Sequence, residues 1–521
     1  MMRNYLLYIG LFLLFGCTSG KKNTAIGELE SWLGEHDNDY SYCVIIPGAG
    51  CEGCILNTEY FAKEYSGRSD ILFIFTRIET LKLLKHKLGK DISLSDNILY
   101  DTDNRFELIE KGENIIYPVV CHLKKNVVTD WCYISPEQRI DVIGKLREEL
   151  DATPAHIIRL DDYLQDRSDK GITLGRMADR LEYVPLQTPD SLPVDVPMSV
   201  KVAGESVFVL DRTQTLFRFD RNGRFMNRIG NRGEGPEDYV GTVDMEVDDR
   251  QEVVYVFDIY RHKLLEYDWS GNFRGSRDLP ENIVDVTLKG NGCFVGYQPW
   301  YRSDDKVDRL VLFGNDGRHV ETVALPQSND VGEVKVDIFR IPEFYNGADR
   351  FYVRMPSDAT LYELSDDNRL RKDICIEQGG YRLPGDIASN TALYNRNLNA
   401  PYLFELNVQR MRNWVFLSFF YRQEHYRVVY DISSRSFHTV FRGRYPTGIT
   451  NDIDDGASFW PLWVSEGMMI GCISPEMLDE DYPDGSIQEK YREFQSYDNP
   501  VLQIIPSREC SESIPTSSSA S

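Results

Sequence analysis

Between residues 40 and 150, short apolar runs alternate with amphipathic stretches. The runs 41–46 and 70–75 are continuous enough for strands buried on both faces, and 97–101 reads as a shorter third. Residues 117–123 begin a fourth strand, which 126–128 joins as a hairpin. Helical periodicity fills the gaps. One helix runs from Cys51-Glu52-Gly53-Cys54 to about residue 65, a second covers 79–88, and 106–111 forms a helical turn. A last helix covers 135–150, with Ser135 as N-cap and Pro136 at its first position. This alternation predicts an α/β domain over 40–150.

After Leu150 the alternation stops. Residues 151–176 are polar and mixed and read as a linker. From 177 onward the chain is short strands and turns with a loose repeat. Phe208-Val209-Leu210-Asp211 leads to a second run ending Asp220-Arg221-Asn222-Gly223, and Tyr255-Val256-Phe257-Asp258 leads to one ending Asp268-Trp269-Ser270-Gly271. The stretch from Leu310 to Gly317 repeats the second half, so the turn glycines lie 48 and then 46 residues apart. Strand, turn, strand at this period is the pattern of propeller blades, none of which buries its faces alone. Five blades fall within 198–441, and 452–506 supplies a sixth. Residues 180–186 have no blade of their own and are expected to close the ring as the outer strand of the last one. The propeller is thus expected over 177–506, and the Ser-rich residues 507–521 read as a disordered tail.

The N-terminus sets the compartment. Arg3 precedes an apolar run over 5–15, interrupted only by Gly10 and ending Leu14-Phe15-Gly16-Cys17. This run is too short to span a bilayer and reads as an export signal over 1–16. Its Leu-x-Gly-Cys ending resembles the lipobox of bacterial lipoproteins. That resemblance implies cleavage before Cys17, lipidation of its thiol, and a tether over 17–39. The expected location is the cell envelope, at the outer membrane, with a protein or peptide partner there. Acidic residues outnumber basic ones 82 to 58, for a net charge of −24, which argues against nucleic-acid binding. Of the 10 cysteines, those other than Cys17, Cys51 and Cys54 show no scaffold spacing and read as small buried apolar residues. Cys43 and Cys121 fall in runs expected to be neighbouring strands.

The candidate chemistry is the Cys51/Cys54 pair at a strand-to-helix junction. A helix N-terminus stabilises a thiolate on the first cysteine, and the second lies one turn away. With Tyr117-Pro118 opening a later strand, residues 40–150 resemble a thioredoxin-like domain. The resemblance implies that Cys51 attacks, Cys54 resolves, and Pro118 forms a cis peptide facing the dithiol. Pro47-Gly48-Ala49-Gly50 replaces that family's usual Trp-containing lead-in, and Ile45 stands where an acidic residue often assists proton transfer. The alternatives are a static Cys51–Cys54 disulfide and a zinc half-site. A zinc site would need four ligands, and no second Cys pair or His pair lies nearby.

Gly230-Asn231-Arg232-Gly233-Glu234-Gly235-Pro236-Glu237-Asp238-Tyr239 and Asp498-Asn499-Pro500-Val501-Leu502 give 177–506 a resemblance to six-bladed, NHL-like β-propeller lipoproteins of Bacteroidetes. The glycine-rich stretch lacks the following helix of a phosphate loop and reads as an inter-blade loop, with Arg232 and Glu234 as its candidate ligand-binding groups. Asp211, Asp220, Asp258, Asp268 and Asp431 recur at one repeat position and read as turn caps. The aromatic runs 300–302 and 459–463 fit either inter-blade packing or stacking on a ligand. No cofactor or metal is expected. The leading expectation is a thiol–disulfide oxidoreductase or redox accessory protein with the propeller as recognition platform. The competing one is a non-enzymatic binding or scaffold lipoprotein for a protein, peptide or glycan, with a structural disulfide.

Overall fold

A computed structural model describes residues 24–506, apart from 37, 39, 90–91, 108–115, 138–139, 167–169, 243, 280–281, 290–291, 300–301, 303, 305–306, 315, 327–342, 348–349, 356–358, 389–390, 445–446 and 475–498. The lipidation candidate Cys17, most of the helical turn expected at 106–111, the aromatics at 300–301 and the tail 507–521 lie outside the described residues. The chain divides into two compact units, at Glu149/Leu150. No described helix is long and apolar enough to cross a membrane.

The first unit is built on a five-stranded sheet. Its strands are β1 (Tyr42–Pro47), β2 (Ile71–Thr76), β3 (Ile98–Tyr100), β4 (Val119–Lys124) and β5 (Val127–Tyr133), in the order β3-β2-β1-β4-β5. β1 runs parallel to β2, as β2 does to β3, whereas β4 is antiparallel to both β1 and β5. Side chains alternate across the sheet. Cys43, Ile45, Leu72, Ile74, Val119 and Cys121 fill one face, covered by helix α1 (Thr24–Glu35). On the other face lie α2 (Glu52–Glu64), whose Phe61 meets Phe73 edge-on, and α4 (Val142–Ala152), whose Arg147 pairs with Glu64. The remaining helix, α3 (Leu81–Leu88), is tied to α2 by the Lys87–Glu59 ion pair.

Two expectations for this unit need correction. Residues 24–35 are a packed helix, not tether: Leu29 and Leu33 are fully buried, and Glu30 accepts the Val128 amide of edge strand β5. The last helix begins at Val142 rather than Ser135. Ser135 only closes a local turn onto Glu137, and Asp141 supplies the cap by accepting the Gly144 amide.

The second unit is a six-bladed β-propeller. Its antiparallel sheets span 197–228, 245–278, 285–324, 343–377, 403–443 and 463–505. Strand β7 (Glu182–Pro185) pairs with the last strand of the sixth sheet, so the ring closes as the sequence predicts. Near the axis, Lys201 of the first blade pairs with Glu246 of the second, which also accepts the Thr287 hydroxyl of the third. The recurrent aspartates cap turns, though at two repeat positions rather than one, since Asp211 and Asp258 end second strands and Asp220, Asp268 and Asp431 end third strands: Asp211 accepts the Thr215 amide, Asp220 that of Asn222, Asp258 that of Tyr260, Asp268 that of Asn272 and Asp431 that of Ser433. In the first two blades the other oxygen holds the incoming loop, through Asp195 N–H to Asp211 and Val240 N–H to Asp258.

Residues 151–176 are not a linker. β6 (His156–Arg159) adds to the fourth blade as a parallel fifth strand, and α5 (Leu160–Gln165) follows it. Asp151 is held by Arg369 and Arg371, and Ala155 N–H donates to Lys372. Leu160, Tyr163, Ile172 and Leu174 are buried in the core of the fourth and fifth blades. This segment supplies apolar surface without which that core would be open to water.

Ring closure also makes a prediction. Gly223 has φ of +81°, and a Cβ there would lie 1.8 Å from the Pro185 carbonyl oxygen, beside the closing strand. Gly223→Ala should destabilise the propeller by about 2 kcal/mol, from strained φ plus the clash. Urea unfolding followed by tryptophan fluorescence measures it, with the surface change Arg224→Ala as the control expected to have little effect.

Candidate functional site

The dithiol is positioned by its lead-in. β1 ends at Pro47, and Gly48 N–H donates to Thr76 of β2 at 2.8 Å. A Cβ on Gly48 would meet the Arg77 carbonyl oxygen at 2.3 Å. Gly50 adopts φ of +153°, and a Cβ there would lie 2.2 Å from the Ile116 carbonyl oxygen. Glycine at both positions lets two backbone segments close on the start of α2. Cys51 N–H then donates to Ile116 C=O at 2.8 Å, while Cys51 C=O accepts from Ile55 as the helix begins.

Cys51 is the N-cap of α2, and Cys54 lies inside its first turn; both are thiols, each partly exposed. The Cys51 thiol is held below the ordinary range. Hydrogen bonding from the Cys54 thiol lowers it most, followed by the Cys54 and Gly53 amides at the start of α2. Cys54 moves the other way, pushed up to about 11 by burial and then by the neighbouring Cys51. The two sulfurs are therefore unequal: one is disposed to ionise, the other to hold its proton.

Pro118 is buried just beyond Ile116, and its carbonyl accepts the Ile134 amide at 2.8 Å. No peptide bond among the described residues is cis. Pro118 is thus near the dithiol's backbone but lacks the cis geometry that the resemblance implied. Ile45 is packed in the apolar core beneath α1. His122 pairs with Tyr42 at the far end of β1 from the dithiol. A cleft of ≈450 Å³ opens beside Cys54, between α2 and the residues that lead into α4. Sequence reasoning missed Asp141 on its wall, because it started the helix six residues earlier.

In the propeller the glycine-rich loop is held by its own surroundings. Arg261 donates to the carbonyls of Gly235 and Asp238, and the Tyr267 hydroxyl donates to Glu237 C=O. The Gly235 amide is taken by the Asp238 carboxylate, so an acid sits where a phosphate cradle would leave a free donor. Glu234 lines a cavity of ≈350 Å³ with Arg261 and Lys263; Arg232 lies outside it and donates to Val240 C=O. Trp460 packs edge-on Phe416 and beneath Arg427, as inter-blade packing requires. Among the described residues no three His, Cys, Asp or Glu side chains converge to hold a metal ion.

The Gly50–Ile116 contact is testable. Gly50→Ala should force the Ile116 carbonyl away, destabilise the first unit by about 1–3 kcal/mol, and slow iodoacetamide labelling of Cys51 at pH 7. Peptide mass spectrometry after timed labelling reads the second effect.

Among curated proteins none matches this sequence. Solved structures do. A putative exported protein from Bacteroides fragilis is 17% identical, with a TM-score of 0.52, over 68% of this chain and 99% of its own. A member of the DUF4221 family from Bacteroides vulgatus is 10% identical, with a TM-score of 0.39, over 65% and 98%. A protein of unknown function from Bacteroides thetaiotaomicron is 9% identical, with a TM-score of 0.36, over 63% and 76%. At these identities the first shows a shared fold and nothing about activity. The model of a domain of unknown function, DUF4934, matches residues 157–506, which hold all six blades together with β7 and most of β6, and the chain belongs to that family.

Proposed function

We propose that this is an exported protein, anchored in the cell envelope through lipid on Cys17, in which a thioredoxin-like domain exchanges disulfides through Cys51 and Cys54. The propeller serves as its recognition platform for a protein or peptide. The observation that carries the reading is the placement of Cys51 as N-cap of α2 with Cys54 inside its first turn, which disposes the first thiol to ionise and the second to hold its proton. The parallel β1-β2-β3 ribbon with antiparallel β4-β5 supports the thioredoxin-like assignment, as does the approach of the β4 lead-in to Cys51. The B. fragilis neighbour, named a putative exported protein, and the lipobox-like ending at Cys17 support the location.

In this mechanism the Cys51 thiolate attacks one sulfur of a substrate disulfide, whose other sulfur leaves as a thiolate. Cys54 then attacks the Cys51 sulfur of the mixed disulfide, expelling the second substrate thiolate. The dithiol is oxidised by two electrons and the substrate disulfide is reduced by two. A binding or scaffold lipoprotein is the second reading. It draws on the ≈350 Å³ propeller cavity, which Glu234, Arg261 and Lys263 help to line.

Thiol trapping across a glutathione and dithiothreitol series decides between them. Exchange predicts a reversible Cys51/Cys54 couple between about −120 and −270 mV. A pair that stays oxidised below about −300 mV is a structural disulfide and leaves the binding reading standing.

A further inference from the structure

β1 and β4 carry a second pair of cysteines, which the exchange reading does not use. Cys43 and Cys121 stand directly opposite each other in the antiparallel β1–β4 register. Side chains at opposed positions project from the same face of a sheet, and both of these are fully buried in the apolar cluster beneath α1. Cys121 also acts electrostatically on the Cys43 thiol, which burial pushes well above its ordinary range. Cys132, on β5, is opposite Val120 and so projects from the other face. Among the described residues, Cys43 and Cys121 are the only cysteines on this face.

The spacing of the pair follows from the ladder. Leu123 N–H donates to Ser41 C=O at 2.8 Å. Hydrogen-bonded pairs alternate along an antiparallel ladder, which makes 43/121 such a pair, with Cα atoms about 5.5 Å apart. A disulfide spans roughly 4.4–6.8 Å between Cα atoms. The Cβ atoms start roughly 5.5 Å apart and must close to about 4.5 Å. The closure stores some strain, which makes a bridge easier to reduce. The same two strands meet again at the dithiol, where Cys51 N–H, beyond the end of β1, donates to Ile116 C=O, ahead of β4.

Both cysteines are thiols in this structure. We propose that in an oxidising compartment Cys43 and Cys121 form a cross-strand disulfide that staples β1 to β4 behind the dithiol. The oxidant is a small disulfide of the glutathione class. One thiolate of the pair attacks it and displaces one of its sulfurs as a thiolate. The second thiolate of the pair then attacks the mixed disulfide and displaces the other. The pair loses two protons and two electrons, and the oxidant is reduced to two thiols. The bridge forms before α1 packs, because Ile26, Leu29 and Leu33 then cover the pair. Residues 43 and 121 are 78 positions apart, so the tie removes much of the unfolded chain's freedom. The proposal is independent of whether Cys51 and Cys54 exchange.

The test starts from the full chain folded in a buffer of reduced and oxidised glutathione. The chain is unfolded in N-ethylmaleimide without reductant, then digested for peptide mass spectrometry. The expected product is a peptide pair joined through Cys43 and Cys121, which reductant separates. Thermal unfolding gives a second readout. Reductant should lower the wild-type midpoint by about 5 °C or more beyond its effect on Cys43→Ala/Cys121→Ala. The Cys51/Cys54 pair is present in both proteins, so its own reduction cancels. Stability lost to the alanines cancels as well, since each protein is compared with itself. The peptide mapping needs no variant. Recovery of both cysteines as blocked thiols overturns the proposal, as does a link from either to a different cysteine. A midpoint that reductant lowers equally in both proteins overturns the staple.

Discussion

The dithiol depends on one backbone contact, the hydrogen bond from Cys51 N–H to Ile116 C=O. It fixes where α2 begins, and therefore which cysteine is the cap and which lies within the first turn. The contact forms because Gly50 has no Cβ to meet the Ile116 oxygen and can hold an unusual φ. Once α2 starts at that point, the helix amides and the Cys54 thiol converge on Cys51, while Cys54 falls into the more enclosed position. The difference between the sulfurs follows from helix geometry and needs no charged side chain beside them.

The propeller solves a different problem, that of closing a ring of sheets that are each too thin to stand alone. β7 completes the sixth blade from the N-terminal side, and Gly223 of the first blade leaves room for the strand to pass. Aspartates at the ends of second and third strands tie hairpins to themselves, and two of them also hold the incoming loop. β6 and α5 cover the fourth and fifth blades, with Asp151 clamped by two arginines.

Much of this was legible in the sequence because it is locally encoded. Strand, Cys motif and helix occur in a row; blade hairpins repeat with their turn glycines; the closing strand is the apolar run left without a blade. What escaped was encoded weakly or non-locally. α1 does carry an i, i+3, i+7 apolar stripe at Ile26, Leu29 and Leu33, but it lies among polar residues just after the lipobox and was absorbed into the tether. β6 is four residues long and alternates buried with exposed positions, too little for a periodic signal. Asp141 was hidden by a plausible Ser-Pro helix start, and its place on the wall of the cleft depends on α2 and the α4 lead-in meeting across 87 residues of chain.

The measurement closest to the central claim is the ionisation of the two thiols. Iodoacetamide alkylation of Cys51 and of Cys54 in the reduced full chain, followed by peptide mass spectrometry across pH, gives a midpoint for each. The account predicts that Cys51 ionises below the ordinary thiol value of about 8.5 and Cys54 well above it, and that Cys54→Ala raises the Cys51 midpoint by removing its main hydrogen-bond donor. Equal midpoints near the ordinary value, or a Cys51 midpoint indifferent to Cys54→Ala, would contradict it.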